Sequence, residues 1–89
     1  MEKRVVLLKA DGTREDLRPE KKPTLKQMQA WVGGYIEVIR AGIRFQGEAA
    51  VLVVNEEGRM HGLPPNKQAT FHFGFPIVGD VFVLIGWRL

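Results

Sequence analysis

Tyr35-Ile36-Glu37-Val38-Ile39-Arg40, joined across a glycine-punctuated connection to Val51-Leu52-Val53-Val54-Asn55-Glu56-Glu57-Gly58, is the stretch that decides the fold. Both runs are rich in β-branched residues, and the second stops on an Asn-to-Gly turn that feeds Gly62-Leu63-Pro64-Pro65-Asn66. In the first run Tyr35, Glu37 and Ile39 fall on one side and Ile36, Val38 and Arg40 on the other. Neither side is wholly apolar, which suits a strand close to an exposed surface. Ala49 to Val54 is apolar on both faces and reads as an inner strand. At its end the spacing predicts that Asn55 bonds its own backbone two residues on, with Gly58 in the left-handed conformation.

Working outward, Thr24-Leu25-Lys26-Gln27 has the spacing of a capping box and opens a helix over Leu25 to Val32, closed by Gly33-Gly34. Leu25, Met28, Trp31 and Val32 recur three or four apart and predict its buried face. Upstream, Arg4-Val5-Val6-Leu7-Leu8-Lys9 and Thr13 to Leu17 flank Asp11-Gly12, the signal of a hairpin. Glu20-Lys21-Lys22-Pro23 is a charged connector. Downstream, Ile43-Arg44-Phe45 and Arg59-Met60-His61 read as short strands. Asn66 caps a single helical turn, and Phe71 to Pro76 is irregular. Val81-Phe82-Val83-Leu84-Ile85 is apolar on both faces and belongs in the middle of a sheet. The fold class is α+β: a small mixed or antiparallel sheet of about five strands with one short helix packed on one face. A β-grasp-like order (ββαββ) is among the arrangements this allows.

The chain of 89 residues reads as a single domain, 1–89, and at this length its margin of stability is thin. Hydrophobic residues make up 45% and charged residues 26%, a globular balance that excludes disorder. There is no cysteine, so disulfides and thiolate chemistry are excluded, and two isolated histidines do not make a metal site. No cofactor is expected. The longest apolar run, Val81 to Ile85, is far below the roughly 18–20 residues of a membrane span. No secretory leader is evident, and a cytoplasmic setting, the cytosol of a host cell, is the expectation. The net charge of +3 is concentrated: residues 1–26 hold eight Lys/Arg against five Asp/Glu, and the remainder holds five of each. Mixed signs within that end favour a solvated face over a dense nucleic-acid patch.

Catalysis finds little material. Serine and cysteine are both absent, and Thr13, Thr24 and Thr70 stand in no nucleophile context. Glu56 and Glu57 are adjacent, so their side chains diverge instead of facing one another across a bond. His61 is suited by type to acid–base work, but nothing accompanies it. Gly33-Gly34 follows a helix where a phosphate loop precedes one. The protein is therefore expected to bind and not to catalyse.

For binding, the consecutive loops Asn55-to-Gly58 and Leu63-to-Asn66 are stiff, and stiff loops lose little entropy on meeting a ligand. The candidate ligand-binding residues are Tyr35, Asn55, Arg59, His61, Pro64, Asn66 and Lys67. Asn55 and Asn66 offer donors and acceptors, while Arg59 and Lys67 suit phosphate or carboxylate. Tyr35 or Trp31 offers a stacking plane. The alternative for Leu63-Pro64-Pro65-Asn66 is a rigid connection with Asn66 as a helix cap. Under the binding reading, Asn66→Ala with Arg59→Ala abolishes binding at little cost to the fold.

Trp31-Val32-Gly33-Gly34-Tyr35-Ile36-Glu37, Val54-Asn55-Glu56-Glu57-Gly58, Gly62-Leu63-Pro64-Pro65-Asn66 and Val78-Gly79-Asp80-Val81, in that order, resemble an uncharacterised family of small domains common in phages, plasmids and their hosts. The resemblance covers residues 24–85 and leaves the N-terminal hairpin outside. It implies an accessory protein of a mobile element, of a kind that blocks or absorbs a host component, and it implies no mechanism. Three functions follow as expectations. The first is sequestration of a small anionic or nucleotide-like ligand by a homo-oligomer, a counter-defence role. The second is direct inhibition of a host protein. The third is weak nucleic-acid binding through the basic N-terminal end.

Overall fold

A computed structural model describes residues 3–87. Strands β1 (Arg4–Leu8) and β2 (Arg14–Leu17) form the expected hairpin. Gly12 takes a φ of +92° in its turn. The Asp11 carboxylate accepts from the Thr13 hydroxyl at 2.6 Å and from the Thr13 N–H at 2.9 Å. Those two bonds hold the Asp11 carboxyl below its usual range.

Helix α1 (Leu25–Val32) begins and ends where its punctuation predicts. The Thr24 hydroxyl accepts from the Gln27 N–H at 3.1 Å, and the Gln27 side-chain oxygen accepts from the Thr24 N–H at 2.9 Å. Gly33 closes the helix at φ +78°. Met28 and Val32 are buried and Trp31 half-buried, but Leu25, expected on the same face, is 55% exposed in the first turn. The helix grips the sheet through its later residues only.

The chain continues through β3 (Ile36–Ile39), a small hairpin of β4 (Arg44–Phe45) and β5 (Glu48–Ala49), then β6 (Val51–Asn55), α2 (Lys67–Phe73) and β7 (Val81–Ile85). The main sheet runs β2-β1-β7-β6-β3, and all four of its pairings are antiparallel. The order thus starts ββαβ, as expected, but inserts the β4–β5 hairpin and a second helix before the last strand.

Strand β7 lies at the centre, and each of its five residues is buried. On one face Val5, Leu7, Val53, Phe82 and Leu84 pack against Met28 and Val32 of α1. On the other, Val6, Leu8, Leu52, Val81, Val83 and Ile85 pack against Ile43, Phe45, Ala69 and Ile77. A helix on one side, and a helix with a hairpin on the other, explain why β7 lacks the alternation of a half-exposed strand.

Three local expectations are corrected. Residues 59–61 form turns and no strand, with His61 N–H bonded to the Glu57 carbonyl at 3.0 Å. Phe71 to Phe73, expected irregular, completes α2, which Asn66 caps by accepting from Ala69 N–H and Gly74 ends at φ +80°. Gly58 is not among the glycines with positive φ. It is required for space instead: a Cβ there would lie 2.9 Å from Val78 Cγ2 and 3.5 Å from Leu63 Cδ1. Gly58→Ala is expected to destabilise the domain by about 1–2 kcal/mol through overpacking. A urea midpoint equal to that of the parent would show that Val78 yields without cost.

Candidate functional site

Asn55 ends β6 and fastens the following loop to the end of α1. Its Nδ2 donates to the Val32 carbonyl at 3.0 Å, and its Oδ1 accepts from the Glu57 N–H at 2.8 Å, the predicted bond two residues on. Gly34 admits this approach, since a Cβ there would stand 3.0 Å from Asn55 Nδ2. Tyr35, 65% exposed, and His61 join Asn55 in a cleft of about 260 Å³ completed by Gln29 and Glu57. His61 Nε2 lies 3.9 Å from a Glu57 carboxylate oxygen, both side chains being open to solvent. Arg59 lines an adjoining cleft of about 200 Å³ with Glu37, Glu56, Met60 and Phe75, and its guanidinium donates to the Pro76 carbonyl at 3.2 Å.

The remaining predicted residues lie elsewhere. Pro64 faces a different cleft, shared with Trp31, Leu63 and Asp80. Lys67 is exposed at the first position of α2, outside all of these clefts. Asn66 has no solvent exposure at all. Its Nδ2 donates to the Leu8 carbonyl at 2.7 Å and the Gly79 carbonyl at 2.8 Å, and its Oδ1 accepts from Ala69 N–H at 3.0 Å. Both amide hydrogens are used, so the expected ligand contact is corrected to a structural tie between β1, the approach to β7 and α2. The neighbouring prolines, though exposed, are also engaged. Pro65 bridges to Val78, and the Pro64 carbonyl accepts from the Gly79 N–H at 2.7 Å. Proline lacks a donor but keeps its acceptor, so the segment pairs through the Pro64 carbonyl and the Asn66 N–H, which donates to the Ile77 carbonyl at 2.8 Å.

The charge at the Asn55–His61 loop also departs from expectation. Among the described residues lining its two clefts, Glu37, Glu56 and Glu57 stand against one permanent cation, Arg59. An anion there meets more like charge than opposite charge.

The opposite charge lies where β2 crosses to α1. Leu17, Arg18, Pro19, Lys21, Lys22, Pro23, Thr24, Gln27 and Trp31 enclose an open groove of about 800 Å³, with three cations and no carboxylate among its lining residues. Trp31 joins Leu17, Pro19 and Pro23 in its apolar wall and packs in a T-shaped contact with Phe82 at 5.0 Å between ring centroids. The first turn of α1, which carries no acidic residue, opens on the same groove.

The mixed signs of residues 14–22 hid this groove from the sequence. Strand alternation sets Asp16 beside Arg14, 2.8 Å away, on the face where Arg14 lies over Phe45 at 5.3 Å, while Arg18 also acts on the Asp16 carboxylate. Arg14 holds the Asp16 carboxyl below its usual range. The signal available was Pro19 and Pro23, which bracket Lys21-Lys22 and stiffen their delivery to the helix start.

Among the described residues no three His, Cys, Asp or Glu side chains gather closely enough to hold a metal ion. No helix among them is long and apolar enough to cross a membrane. Neither a curated protein nor a solved structure gives a significant match to the chain. The matched family pattern spans residues 3–87, taking in the N-terminal hairpin, and the chain belongs to that family, described as Domain of unknown function (DUF3846).

Proposed function

We propose that this domain is a non-enzymatic binding protein that holds a small anionic, nucleotide-like ligand in the groove between β2 and α1, and so sequesters it from a host. One observation carries the reading: Lys21, Lys22 and Trp31 share a groove of ligand size with no carboxylate among its described lining residues. Cations on short proline-bounded segments neutralise phosphate or carboxylate, and the half-buried indole offers an apolar surface for a base. Arg59 and Lys67 contribute nothing to this groove, so the ligand class expected from the sequence is kept while its site moves.

Thermal unfolding against a panel of mono-, di- and cyclic nucleotides tests it. Ligand at a hundred times its Kd stabilises by about 2.7 kcal/mol, which raises Tm by roughly 10–20 °C in a domain of this size. Lys21→Glu with Lys22→Glu is expected to weaken binding by at least about tenfold, because two exposed attractions of roughly 0.5–1 kcal/mol become repulsions. A panel without any shift removes the small-ligand reading. A ligand held equally well by the double variant removes the groove.

A second reading has its own observation. Tyr35 beside the acidic Asn55–His61 loop and Met60 within it are 65% and 82% exposed, a composition suited to a host protein presenting a basic patch. Binding of single-stranded DNA that falls steeply with salt would instead favour nucleic acid as the occupant of the groove.

A further inference from the structure

The main sheet has two open edges, β2 and β3, and they are unlike. Strand β2 presents Arg14-Glu15-Asp16 in succession, and charge of that density guards an edge against pairing. Strand β3, Ile36-Glu37-Val38-Ile39, has one charge in four residues, and Ile36, Val38 and Ile39 are only half-buried. The Tyr35 carbonyl accepts from Glu56 N–H at 2.9 Å. Ladder alternation then turns the backbone of Glu37 and Ile39 toward β6 and that of Ile36 and Val38 outward. Among the described residues, no backbone hydrogen bond outside the ladder engages Ile36 or Val38.

We propose that β3 pairs antiparallel with β3 of a second copy of this chain, about a twofold axis at Val38, extending the five-stranded sheet across a dimer. Of the registers that keep the faces of the joined sheet continuous and use the outward groups, two place the twofold axis at an inner residue of β3. One, centred on Glu37, sets two carboxylates directly opposite and is disfavoured. The other sets Val38 against Val38 and Glu37 against Ile39. It gives Val38 two hydrogen bonds across the axis and covers apolar side chains left half-open on the α1 face. A surface that complements itself about a twofold needs no other partner.

Sedimentation of the full chain at rising concentration tests this. The expected species is a dimer of twice the 10.1 kDa chain mass. Val38→Pro removes an N–H that points away from β6, so it is expected to return the protein to a monomer. Val38→Cys supplies the only thiol in the chain. A short bis-maleimide should link two copies there, the opposed Cα atoms being about 5.5 Å apart, whereas Glu15→Cys on the β2 edge should not link. A parent that stays monomeric to millimolar concentration overturns the proposal. So does a dimer that links through Glu15→Cys and not Val38→Cys. If Val38→Pro fails to fold, the comparison of the two cysteine variants decides.

Discussion

Asn66→Ala is expected to lower the unfolding free energy by about 3–5 kcal/mol, combining a lost helix cap with buried groups left unpaired. Alanine leaves the Leu8 and Gly79 carbonyls and the Ala69 N–H without the partner they have in the parent. All three lie with Asn66 in the protein interior, where water does not replace the lost bonds. A loss of about 3 kcal/mol moves Tm down by more than roughly 12 °C in a domain of this size. Asn66→Asp is expected to be no milder, because its second oxygen would face two carbonyl oxygens where the amide donated. Urea denaturation of both variants, beside Lys67→Ala as an exposed neighbour expected to stay near the parent, checks this. An Asn66→Ala midpoint matching that of Lys67→Ala would show that the three bonds contribute nothing net. The sequence alone allowed a harmless change of fold at this position with loss of ligand, and the buried geometry reverses that expectation.

Phe82→Ala is expected to cost about 3–5 kcal/mol, the range for removing a large aromatic side chain from a packed core. Phe82 has no exposure, sits at the second position of the central strand, and pairs across with Leu7 and Val53. Its ring makes a T-shaped contact with Trp31 at an interplanar angle of 73°. The cavity would therefore lie between sheet and α1, and loss of near-ultraviolet circular dichroism from Trp31 should accompany the lower midpoint. Phe82→Leu fills part of the space and is expected to cost less than half as much. A Phe82→Ala variant that unfolds with the parent would mean that α1 collapses onto the sheet and closes the gap.

Most of the fold is legible in local pattern because its signals act over a few residues. Thr24, Gln27 and Gly33 mark α1 by satisfying backbone groups that any helix end exposes. Asp11-Gly12 marks the first hairpin in the same way. The uninterrupted apolar run Val81 to Ile85 announces a strand covered on both faces. The misreadings occur where a residue's local preference has two outcomes. Asn66 suits a cap and a ligand contact equally, and Gly58 suits a left-handed turn and a tight approach. Which outcome holds depends on Leu8, Gly79 and Val78, neighbours that proximity along the chain does not identify.

The candidate site divides similarly. Asn55, Arg59 and His61 share one loop, as their nearness in sequence suggests, while Tyr35 joins Asn55 and His61 from across a cleft. The groove of Lys21, Lys22 and Trp31 was not legible, because a charge run in sequence carries both signs and only the fold shows Asp16 beside Arg14 on the face of Phe45.

What the sequence by itself determined is the set of elements and the face each one buries, since capping, turn chemistry and apolar periodicity are written in neighbouring residues. What only the tertiary structure decided is which polar groups are consumed internally and which charges share a surface. Those depend on contacts between residues far apart in the chain, such as Asn66 with Leu8, and no local pattern encodes them.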